Sequence, residues 1–149
     1  MEKTAHVTRE QKGEIFKEIN LRSDQLSTYV LIVYGLIGVV LSFVYNTQLV
    51  AFGVGGLSVL AYFATKFALP KRTVHHYVFS AVLAIFTAQF IYQMHGMFEM
   101  HFFVFVGATL LINFQNWRLQ LPLILLVVVH HAAFAYLQYA GNKGIFLPS

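Results

Sequence analysis

Five side chains in two later stretches of this chain are of types that bind metals and could act together. His95, Glu99 and His101 stand together in the segment His95-Gly96-Met97-Phe98-Glu99-Met100-His101-Phe102, and His130-His131 form a pair in a later apolar run. Glu99 is the one acidic residue in the 125 positions after Asp24. An ionisable group kept in such surroundings marks a functional site by default, with its partners to be named. The four histidines are those partners, and imidazole with carboxylate is a ligand set for copper, zinc, iron or nickel. Met94, Met97 and Met100 place thioethers beside the cluster, which favours copper over zinc or iron, although methionine is also a routine apolar filler. Haem held by two histidines from different helices is the alternative cofactor. A hydrogen-bonded packing network and a proton relay are further readings of the same residues. The chain has no cysteine, so disulfides, thiolate zinc sites and iron–sulfur clusters on it are excluded.

The elements that must position these ligands are helices. Of the 149 residues 58% are apolar, too many for an ordinary soluble domain of this size. We read an all-α polytopic transmembrane bundle of about five membrane-spanning helices: Thr28 to Tyr45, Gln48 to Phe67, Val74 to Met94, Phe98 to Phe114 and Leu119 to Tyr139. Each is about 17 to 21 residues, the length that crosses a hydrocarbon core of roughly 30 Å. Asn46-Thr47, Pro70-Lys71-Arg72, Gly96 and Asn116-Trp117-Arg118 separate the runs, and Pro122 falls in the first turn of the fifth, where a missing donor is tolerated. Residues 1–25 carry five basic and five acidic side chains and form a cytoplasmic polar or amphipathic segment, with Ile15, Phe16 and Ile19 along one side; residues 26–149 form the bundle. The apolar stretch Ile145 to Ser149 reads as a boundary before a further helix.

Counting Lys and Arg near helix ends orients the bundle. A cytoplasmic N-terminus puts the five cations of the tail, Lys66, Lys71, Arg72 and Arg118 inside, and Lys143 alone outside. The net charge of +4 therefore marks membrane orientation; the cations form no stripe across a soluble face and no nucleic-acid partner is expected. His95, Glu99 and His101 lie at the outer end, with His130 and His131 about halfway up the fifth helix. His75 and His76 lie at the cytoplasmic end of the third, roughly 28 Å from His95 at 1.5 Å per residue, and read as interfacial residues beside Lys71 and Arg72. His6 reads as solvated, and Trp117-Arg118 as an interface anchor.

The pattern His95-Gly96, Glu99, His101-Phe102, then Trp117-Arg118, then His130-His131, entered through Arg22-x-Asp24-x-Leu26, resembles the N-terminal membrane sensor region of bacterial chemotaxis receptors and cyclic-dinucleotide signalling proteins. The resemblance covers about Arg22 to Gln138 and implies a sensory bundle in the bacterial inner membrane, working with a cytoplasmic signalling module that this chain does not carry. The expected function is a membrane-embedded sensor that binds a transition metal through His95, Glu99, His101, His130 and His131, as a homo-oligomer in the lipid bilayer. No nucleophile–base pair or phosphate loop points to catalysis. A haem-binding membrane anchor or electron-transfer subunit, and a membrane metalloenzyme, are the alternatives.

Overall fold

The computed structural model describes residues 9–69 and 73–140. These residues form five helices joined by short turns, and no strand occurs among them. Helix α1 is Arg9–Tyr45. Helix α2 runs over Gln48–Ala68 and contains a π segment at Ala51–Gly55. Helix α3 is Val74–Gln93. Helix α4, Phe98–Ile112, opens with a 3-10 turn at Phe98–His101, and α5, Gln120–Tyr139, follows a 3-10 turn at Trp117–Leu119. The Pro70-Lys71-Arg72 connection, Lys143, His6 and the Ile145 to Ser149 tail lie outside the described residues.

Helices α1, α2, α3 and α5 are long and apolar enough to cross a membrane. The fourth expected crossing is shorter than its apolar run. At 1.5 Å per residue Phe98–Ile112 spans about 22 Å. It ends early because Gln115 takes a left-handed φ of 50° and the Asn113 amide donates back to the Leu110 carbonyl, which turns the chain before Trp117. The first helix departs in the other direction. The polar segment before Asp24 does not break from the apolar run, because Lys, Glu, Arg, Ile and Leu all favour helix and only Gly13 interrupts them. The result is one rod of 37 residues, about 55 Å long.

The helix in the middle of the bundle is α3, with Phe79, Leu83, Phe86 and Phe90 essentially inaccessible and α1, α2, α4 and α5 packed around it. Tyr34 of α1 meets the Phe86, Phe90 and Phe103 rings at centroid distances of 5.9, 5.6 and 5.6 Å. Buried polar groups tie the elements in register. The Gln93 amide donates to the Gly38 carbonyl at 3.0 Å and to Thr47 Oγ1 at 3.1 Å, joining α3 to the end of α1. The Ser80 hydroxyl donates to the Leu119 carbonyl and accepts from the Leu123 amide, so a side chain of α3 satisfies two backbone groups at the start of α5. Gly38 and Gly55 let α1 and α2 close on Gln89, whose side-chain amide would lie 2.7 and 2.9 Å from a Cβ at those positions.

Candidate metal centre

Helices α1 and α3 enter the bundle from the same end, and their entry points meet. Asp24 lies one turn before the apolar run of α1; His75 and His76 are in the first turn of α3. Adjacent residues on a helix point about 100° apart, so two neighbouring imidazoles reach one partner only if it sits between them. Asp24 does: its Oδ1 accepts from His75 Nε2 at 2.9 Å and from His76 Nε2 at 2.7 Å. The two rings stand 4.2 Å apart between centroids. His75 and His76 are 5% and 3% exposed, whereas the Asp24 side chain is 28% exposed and leaves a route to solvent.

The surroundings hold the rings in place. Phe114 packs edge-on to His76 at 4.7 Å, and Tyr62 of α2 lies against His75 at 6.2 Å. The Tyr62 ring is completely buried, and its hydroxyl faces Ser27, Thr28 and Asp24 of α1. Lys66 Nζ donates to Thr28 Oγ1 at 3.3 Å and to the Asp24 carbonyl at 3.4 Å, bringing a cation from α2 to the rim.

Asp24, His75 and His76 bring three ligand atoms within 4.8 Å of one another, the one such group among the described residues. The present spacing is that of hydrogen bonds. A tetrahedral ion with bonds of about 2.05 Å holds its ligand atoms about 3.3 Å apart, so each imidazole must draw back by roughly half an ångström and move its proton to Nδ1. Both adjustments are small side-chain motions, and the donor set suits a borderline divalent ion.

The five residues expected from the sequence lie at the other end and do not assemble into such a group. His95 is exposed at the end of α3, with a left-handed φ of 53° and its ring edge-on to Tyr45 at 5.6 Å. Its backbone makes the turn together with Gly96, whose φ is 81° and whose amide donates to the Ile91 carbonyl at 2.8 Å. Glu99 is exposed in the 3-10 turn that also carries His101. His101, His130 and His131 do converge on one cleft. A glycine suits the left-handed position of His95 better than an L side chain by roughly 1 kcal/mol. We therefore expect His95→Gly to match or exceed the parent in thermal stability and to keep its metal content, measured by elemental analysis.

Asp24 reads in the sequence as the last charge of a polar tail, and His75-His76 as interface residues. The signal that joins them is topological: helices one and three run in the same direction, so their starts share a level. No family model, curated protein or solved structure matches the chain.

Proposed function

We propose that this chain is a membrane-embedded helical module that senses a transition-metal ion at its cytoplasmic end, held by Asp24, His75 and His76. The observation that carries this reading is the convergence of two buried imidazoles on one carboxylate 51 and 52 positions away in the chain. Binding replaces two hydrogen bonds by bonds to the ion, which shifts the N-terminal ends of α1 and α3 against each other. Asp24 lies within an unbroken helix whose polar part runs on from Arg9, so that shift reaches the segment where a cytoplasmic module would couple. A ligand moves such an equilibrium only by its differential affinity for the two arrangements. The resemblance of the His95–Phe102, Trp117-Arg118 and His130-His131 pattern to membrane sensor regions supports the same reading.

A close imidazole pair on one carboxylate suits a bare ion better than haem, whose axial ligands stand on opposite faces of the porphyrin. Copper was favoured by Met94, Met97 and Met100, which flank the far turn of the bundle and not this group; an all-N/O site of this kind suits zinc equally. A second reading is favoured by the distances of 2.7 and 2.9 Å: a metal-free latch that pins α1 to α3. Elemental analysis of the full chain purified in detergent, after exposure to zinc and to copper, separates the two. Near-stoichiometric metal that is lost in the His75→Gln, His76→Gln double variant supports the sensor; metal-free protein that stays folded supports the latch. Lys66 opposes a cation at this place. Lys66→Met is expected to tighten zinc binding about 5-fold, on the order of 1 kcal/mol for removing a like charge at the rim, as read by isothermal titration.

A further inference from the structure

We infer that the opposite end of the bundle carries a second seat for a borderline divalent metal ion, built on His101 of the 3-10 turn that opens α4 and His131 of α5. The inference rests on the membrane reading above but on a different set of atoms. His101 Nδ1 lies 3.1 Å from the Phe98 carbonyl, and His131 Nδ1 lies 2.8 Å from the Val127 carbonyl. A carbonyl only accepts, so each Nδ1 carries the ring proton and each neutral imidazole presents its Nε2 lone pair. Metal-ligating histidines are held in this way: the second ring nitrogen donates to a backbone carbonyl, which fixes tautomer and orientation. The two ring centroids are 5.4 Å apart. Two imidazoles on one tetrahedral ion, with nitrogen about 2.05 Å from the metal, place their centres about 5 Å apart. The cytoplasmic group must exchange a proton between nitrogens to bind; this pair needs no such step.

The surroundings point the same way. His101 and His131 line an open cleft of about 400 Å³ with Ile91, Gly96, His130 and Phe134. His130 shares the cleft. Its ring centre is 5.6 Å from that of His131, and it stacks on Phe134 at 4.4 Å. His131 is exposed at the middle of an apolar helix of 20 residues. A polar ring on that face of a membrane helix is costly unless something takes up its lone pair. An ion held by the pair, with water in the open positions, does so.

Cobalt(II) is the probe, because its visible absorption reports tetrahedral coordination and its stoichiometry can be counted. The full chain in detergent is titrated as wild type, as His75→Gln with His76→Gln, and as His101→Gln with His131→Gln. Far-ultraviolet circular dichroism and gel filtration check that each is folded, and single His101→Gln and His131→Gln variants stand in if the double variant is not. We expect two ions per wild-type chain and one in each double variant. Wild-type protein binding one ion that survives His101→Gln with His131→Gln would overturn this seat and leave the cytoplasmic centre standing. One ion lost only in that variant would uphold this seat and overturn the other. Unchanged binding in both would overturn both.

Discussion

Asp24→Asn is expected to yield a folded protein that no longer retains metal. The amide keeps the shape of the carboxylate and one acceptor oxygen, so His75 and His76 still have a partner and the fold loses little beyond the difference between a charged and a neutral hydrogen bond. A charge-assisted bond is worth about 1.5–3 kcal/mol against about 1 for a neutral one, and Asp24 is partly solvated, which lowers the loss. Metal binding responds differently. A neutral amide oxygen is a poor ligand and supplies no charge to the ion. Removing even an outer partner of a metal site costs on the order of 10–100-fold in affinity, so removing a ligand is expected to reach or exceed the upper end. The paired measurement is zinc affinity by titration and thermal midpoint by circular dichroism. A variant with unchanged midpoint and unchanged affinity would remove Asp24 from the centre.

Phe90→Ala is the complementary case, with a large loss of stability and none of metal stoichiometry. Phe90 is wholly buried in α3, 5.0 Å from the Phe103 ring and 5.6 Å from that of Tyr34, and it covers Gly38 of α1. Truncating such a ring removes its burial and leaves a cavity that the aromatic neighbours fill only in part, a loss of about 3–5 kcal/mol. The residue lies four turns from His75 along the same helix, too far to touch the ligands. Denaturant titration in detergent reads the stability, and elemental analysis of the folded fraction reads the metal. Metal loss in step with Phe90 truncation, in protein still folded, would mean that the whole core rather than the helix entry sets the site.

Much of the architecture is legible in the apolar runs, because each long helix is mostly apolar along the stretch that packs in the bundle. The far end of α1 at Tyr45, and the spans of α2, α3 and α5, fall within a residue or two of where the runs begin and end. What hydropathy misses is where a helix continues although its solvent changes. Arg9 to Gln25 are polar and still helical, since helix propensity does not depend on burial. It also misses where a helix stops although the run continues, as at Asn113 to Gln115 before Trp117. The site was less legible. The outer residues stand out in the sequence because an acid and two histidines lie in one short segment, yet His95 is spent on a turn and Glu99 faces outward. Asp24 meets His75 and His76 through the packing of α1 on α3, and spacing along the chain carries no record of that contact.

The π segment at Ala51–Gly55 amounts to one extra residue threaded into an α-helix. Everything beyond it in α2, including Tyr62 and Lys66, is turned by about 100° relative to an uninterrupted helix with the same start. Those two side chains are the ones that α2 sends to Asp24 and His75. The identity of the groups around the Asp24 carboxylate is thus set by an insertion about two to four turns away. Loss of a single codon there would leave Asp24, His75 and His76 in place while swinging the phenol and the ammonium away from them, so one deletion changes the charge around this carboxylate without touching it.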